Sequence, residues 1–176
     1  SIHSNIYVGT SIGLKLIDST GTYSLKFKTY DILCRDIMYC KGRIYVASDK
    51  NGVLIYENGI LIENWTIENR LVSNNTRKLL YNQDYIFINT DKGIQIVDYS
   101  GNTFYYLNKS EGLFTNHVID MVVINDQLIV LNQTGVQKID LKVLQTNEFV
   151  PNIRFNSLKM NGKPIADVFS IGNYDY

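Results

Sequence analysis

Two prolines, two cysteines, two histidines and one tryptophan are all that 176 residues contain of the types that usually mark kinks, crosslinks, metal sites and stacking platforms. Charge of one sign is missing too, since 17 basic and 17 acidic residues cancel to a net charge of zero. Without a Lys and Arg excess gathered on one face, binding to nucleic acid is not expected. No apolar run approaches the roughly 20 residues of a membrane-spanning helix, so no membrane contact by this segment is expected. Ser1 opens without a charged stretch and apolar core, which reads as a mature or excised segment. The scarcity of proline, together with 45% hydrophobic residues, argues against a disordered tail and for a folded chain.

The two cysteines, Cys34 and Cys40, lie in the strand-like run DILCRDIMYC. A rise of about 3.3 Å per residue separates them by roughly 20 Å, which predicts free thiols, and their spacing is not that of a zinc site. Four glycosylation-type triplets begin at Asn64, Asn74, Asn108 and Asn132, and a chain this rich in Asn produces such triplets by chance. No nucleophile elbow, phosphate-binding glycine loop or His/Cys/Glu cluster occurs, so neither enzymatic activity nor a cofactor is expected in this segment.

What the chain does contain is repetition. The runs IYVGTSIGLKLID, IYVASDKNGVLIYE, IFINTDKGIQIVD and LIVLNQTGVQKID begin at Ile6, Ile44, Ile86 and Leu128. Their shared glycine falls at Gly13, Gly52, Gly93 and Gly135, with spacings of 39, 41 and 42. A period near 40 built from short β-type runs is the pattern of propeller blades. In the first run of each copy both faces are apolar, as required of a strand sandwiched between neighbouring blades. The glycines predict equivalent turns into strands 14–18, 53–57, 94–98 and 136–140. Polar runs SLKFKTY, LIENWTI, TFYYLN and LQTNEF suit outer strands, and residues 35–40, 76–81 and 118–124 supply inner strands for the second to fourth blades.

The expected fold is therefore all-β. Residues 1–150 form about fifteen strands in nearly four blades of four-stranded antiparallel sheets, the C-terminal part of a larger propeller whose first blade begins at its second strand. Residues 151–176 read as a linker and the first hairpin of a β-sandwich, with Asn161-Gly162 as its turn.

A second repeated block, NRLVSNNTRKLLYNQD and EGLFTNHVIDMVVIND, precedes the third and fourth copies. With it, the run GLFTNHVIDMVVINDQLIVLNQTGVQKID resembles the two-component regulator propeller repeat, whose pattern runs G-L-x-x-N-x-V, an apolar run, W-I-G-T and G-L. Tyr7, Tyr45, Phe87 and Ile129 replace the tryptophan of that pattern. Its threonine survives as Thr10 and Thr90 and becomes Ser48 and Asn132 elsewhere. The tail PNIRFNSLKMNGKPI is similar to the opening of the three-tyrosine Ig-like domain that follows such propellers. The resemblance implies an extracytoplasmic, periplasmic segment of a membrane-anchored bacterial sensor histidine kinase or hybrid regulator. It implies signal transduction, often through carbohydrate sensing, with upstream blades and the downstream Ig-like domain as partners. A propeller scaffold for protein–protein interaction is the alternative.

Alternation of chain direction places the loops before the inner strands and the turns after the second strands on one face. The candidate ligand-binding residues are Arg35, Asp49, Trp65, Arg70, Arg77, Asp91, Lys92 and His117, an inventory of planar donors, acceptors and one aromatic that suits an oligosaccharide. Asn74 and Asn116 occupy equivalent places, where backbone capping is the expected role. An open ring leaves apolar faces at its ends, so self-association of the isolated segment is expected.

Overall fold

The computed structural model describes residues 5–10, 12–144, 159–160 and 163–164. Residue contacts divide the chain into two units, Ser1–Thr146 and Asn147–Tyr176. The described part of the first unit consists of consecutive antiparallel sheets and has no α-helix, and it is a fragment of a β-propeller.

Blade 1 contains β1 (Ile6–Thr10), β2 (Gly13–Asp18), β3 (Gly21–Phe27) and β4 (Tyr30–Asp31). Blade 2 contains β5 (Cys34–Cys40), β6 (Arg43–Ser48), β7 (Val53–Glu57) and β8 (Ile60–Trp65). Blade 3 contains β9 (Thr76–Asn82), β10 (Tyr85–Thr90), β11 (Gly93–Asp98) and β12 (Thr103–Leu107), and blade 4 contains β13 (Val118–Ile124), β14 (Gln127–Asn132) and β15 (Gly135–Asp140). Fifteen strands are thus present among the described residues of this unit, but not distributed as the repeat predicts. Blade 1 gains β4 because SLKFKTY breaks at Lys28, whose φ of 58° turns the chain back on β3. The predicted outer strand LQTNEF falls outside the described residues after Leu144. In the second unit, β16 (Lys159–Met160) pairs antiparallel with β17 (Lys163–Pro164) on either side of Asn161-Gly162, while the remainder of the expected sandwich opening lies outside the described residues.

Three apolar clusters hold neighbouring blades together, and strand alternation decides which residue joins which. From blade 2, Val46, Leu54 and Tyr56 turn towards Leu14 and Ile32. Tyr45, Ala47, Val53 and Ile55 turn the other way, towards Leu79, Ile86, Ile88 and Val97. Phe87, Ile94 and Ile96 of blade 3 then meet Met121, Leu128 and Val130 of blade 4. The period of two along a strand is therefore the device that stacks one blade on the next.

The four glycines occupy equivalent turns, with φ of 142°, 69°, 129° and 141° at Gly13, Gly52, Gly93 and Gly135. At Gly52 a Cβ would stand 2.0 Å from the Trp65 carbonyl oxygen, and at Gly93 2.5 Å from that of Leu107, so the outer strand passes too closely for a side chain. The hydroxyl at the end of the second strand secures the same turn. Thr10, Ser48 and Thr90 each donate to the carbonyl of the glycine, at 2.8, 2.8 and 2.9 Å. Asn132 instead accepts from Thr134, which explains why that repeat tolerates the change.

Candidate functional site

The face predicted from chain alternation is tied together by backbone bonds at two successive blades. The amide of Asp49 donates to Leu33 O at 3.2 Å, and that of Asp91 to Asn75 O at 3.3 Å. Each turn after a second strand thus rests on the loop before an inner strand. Thr76 fixes the next step: its buried hydroxyl accepts from the Ser48 amide at 2.8 Å and donates to Ser48 O and Gly52 O. This crosslink places Asn75 and Arg77 of blade 3 beside Arg35 and Asp49 of blade 2. On the far side, Asn89 donates to Val118 O at 3.0 Å and sets the position of His117.

The result is an open, polar cleft of about 550 Å³ lined by Arg35, Asp49, Asn75 and Arg77. It continues into a smaller recess of about 130 Å³ that shares Arg35 and Asp49 and adds Leu33 and Cys34. Arg35 meets Asp49 Oδ1 twice, through Nη2 at 2.9 Å and Nε at 3.0 Å. That hydrogen bond holds the Asp49 carboxyl below its ordinary range, with the charges of Arg35, Lys50 and Arg77 acting in the same direction. Arg77 Nη1 donates to His117 Nδ1 at 3.2 Å, and its Nε approaches Asn75 Oδ1 at 3.5 Å. Burial, aided by the Asp36 charge, pushes the Cys34 thiol up to about 11, so it is a protonated wall group and not a nucleophile.

Four of the eight candidate residues, Arg35, Asp49, Arg77 and His117, are therefore brought together. Asp91 and Lys92 occupy the adjacent turn but do not line the cleft, and the Lys92 carbonyl accepts from the Tyr106 hydroxyl at 2.5 Å. Trp65 does not belong to the site. Only 1% of it is exposed, and its ring stands edge-on to Tyr45 at 5.7 Å within the core between blades 2 and 3. Stacking on a ligand is closed to it because its position at the end of β8 points it inward. Arg70 lies elsewhere as well: its guanidinium covers Trp65, pairs with Glu63 at 3.0 Å and donates to Ser100 O. It lines a separate polar cleft with Asn69, Gly101, Asn102 and Thr103.

Asn75 was not among the candidates, although it stands 42 residues before His117 at the equivalent place in the repeat. That equivalence is the signal that could have found it. Asn74 and Asn116 do cap backbone: their side chains accept from the amides of Ile67 and Lys109 at 2.9 and 2.7 Å. A second repeated clamp carries no mark in the sequence beyond its spacing. Gln95 binds Val72 N and Arg70 O, and Gln137 binds Phe114 N and Gly112 O in the same manner.

Among the described residues, no group of three or more His, Cys, Asp or Glu could hold a metal ion. The cleft can recognise, through charged and amide hydrogen bonds, a small polar ligand.

No protein family or curated protein is matched by the chain's sequence. Solved structures are matched by its fold. A protein assigned as the extracellular domain of a hybrid two-component system from B. thetaiotaomicron superimposes with a TM-score of 0.67 at 15% identity, covering 83% of this chain and 23% of that one. The computationally designed protein Ika8 gives 0.60 at 13% identity, over 80% of this chain and 43% of that one. The WD40 β-propeller domain of Doa1 gives 0.57 at 11% identity, over 80% and 48%. At these identities the likeness is one of fold, and the chain spans under half of each of these structures.

Proposed function

We propose that this chain is an extracytoplasmic, ligand-sensing segment of a bacterial two-component sensor, and that it reads a glycan in the cleft between blades 2 and 3. The observation that carries this reading is the convergence of Arg35, Asp49, Asn75 and Arg77 on one open cleft. A sugar ring presents adjacent hydroxyls that both donate and accept, and a carboxylate, an amide and two guanidinium groups answer both functions. The resemblance of the repeats to the regulator propeller and the fold shared with an extracellular two-component domain support the same class of protein. Kinase and receiver functions belong to other parts of such a protein.

Binding without turnover is the expected behaviour. Calorimetry against a panel of oligosaccharides, with Arg77→Ala as the control, tests it. A hit should weaken about tenfold in the variant, the equivalent of ~1.4 kcal/mol. Equal affinity of both proteins would remove this cleft from the reading.

A protein-binding scaffold is the second reading. The observation in its favour is the apolar outer face of blade 4, where Val122, Ile124, Leu131 and Val136 are exposed.

A further inference from the structure

The charges in the cleft narrow the class of sugar. Blades 2 and 3 offer the same pair of residues at equivalent places, Arg35 with Asp49 and Arg77 with Asp91, the second pair 42 residues after the first. Only the first pair closes. Arg77 turns instead to two uncharged acceptors, Asn75 Oδ1 and His117 Nδ1, and among the described residues no carboxylate reaches it within ion-pairing distance. One guanidinium in the cleft is therefore neutralised and the other is not.

The remaining polar capacity is of a different kind. Both contacts from Arg35 converge on Oδ1 of Asp49, which leaves Oδ2 able to accept from hydroxyls. The Asn75 amide lines the same cleft and can donate as well as accept. A guanidinium fork matches a carboxylate or sulfate in two parallel hydrogen bonds, whereas a neutral hydroxyl uses only one arm of it. The cleft thus holds hydroxyl-binding groups together with one guanidinium that has no carboxylate paired to it among the described residues.

Resting on the glycan-sensor reading, we infer that the cleft takes an acidic oligosaccharide, with sugar hydroxyls on Asp49 and Asn75 and the anionic substituent on Arg77. Carboxylate and sulfate share the chemistry that Arg77 would recognise.

The test is a glycan array printed with matched pairs, each an acidic oligosaccharide beside the neutral form of the same backbone, with uronates and sulfate esters as separate arms. At low ionic strength the acidic member should give at least about a tenfold higher affinity, and added salt should erode the difference. The arm that responds identifies the anion. Arg77→Gln should bring the ratio of acidic to neutral affinity down to about one. Arg77→Lys, which keeps the charge without the fork, should recover part of the preference. Equal signals for both members would overturn the inference and leave the glycan sensor standing. A preference that survives in Arg77→Gln would overturn it as well, whereas silence across the whole array would take down the sensor reading with it.

Discussion

Blades 3 and 4 carry the same repeat 42 residues apart, yet among the described residues one is covered on both faces and the other on one. Ile94 is fully buried, while Val136, at the same place in the next blade, is 64% exposed. Asn89 is buried and bonded to Val118 O; its counterpart Leu131 is 40% exposed. Burial in this architecture is thus a property of the neighbouring sheet and not of the strand that supplies the side chain. The candidate cleft follows the same rule, because it forms where two blades meet and draws its lining from both. A bare blade face has no such partner loops.

The largest expected contrast lies in the repeated glycines. At Gly52, between covered blades, alanine would drive a Cβ into the Trp65 carbonyl and hold a left-handed backbone. Overpacking and the backbone conformation together should cost about 3–5 kcal/mol. At Gly135 nothing among the described residues lies within 4 Å of the added atom, so only the backbone conformation is penalised there, by about 1 kcal/mol. Urea denaturation of Gly52→Ala and Gly135→Ala compares the two. Equal losses would mean that the turns are not differently enclosed.

Much of this contrast was legible in the sequence, because spacing alone put the glycines, the inner strands and the two-faced apolar runs in register. Local rules failed where tertiary surroundings decide. Periodicity cannot see that Lys28 takes a left-handed conformation and splits an outer strand into β3 and β4. Nor can it see that Trp65 points into a cluster while Arg70 lies over it, since a side chain at a strand end has two directions open to it. Arg35, Asp49 and Arg77 in the cleft, and His117 bonded to Arg77, were reachable from chain alternation. Asn75 was hidden because an Asn before a strand reads as a cap, and its neighbour Asn74 is one.

A smaller difference between junctions should appear at high pH. Burial pushes the Tyr56 hydroxyl up to about 12, with the nearby Tyr7 and Cys34 acting in the same direction. Tyr45 is raised further still, again mainly by burial. Both belong to junctions of blade 2, whereas in the cluster between blades 3 and 4 the tyrosines, Tyr85 and Tyr105, are only partly buried. The folded state keeps these protons when the unfolded chain has lost them. Their stabilisation is therefore complete below pH ~10 and falls as pH rises towards about 12 and beyond. Tyr56→Phe should flatten that decline, worth on the order of 2 kcal/mol at the alkaline end. Denaturant midpoints measured from neutral to alkaline pH would show it, and parallel curves for both proteins would contradict the assignment.

The smallest effect on stability should come with the clearest effect on association. Val122, Ile124, Leu131 and Val136 are 44%, 54%, 40% and 64% exposed, and register places Leu131 directly opposite Val136 on the same face. Such a face matches in position the one by which blade 3 holds blade 4, and an apolar patch of this kind favours a partner over water. We propose that two copies of this segment meet through it. Val136→Lys should then leave unfolding within about 0.5 kcal/mol of the parent, because an exposed side chain contributes little to the folded monomer. It should nevertheless shift the protein towards the monomer, since a buried unpaired ammonium would have to be desolvated in the contact. Light scattering and sedimentation at rising concentration read the two proteins side by side. A parent that stays monomeric throughout the micromolar range would end the proposal, and an associating parent whose Val136→Lys variant associates equally would move the contact to another face.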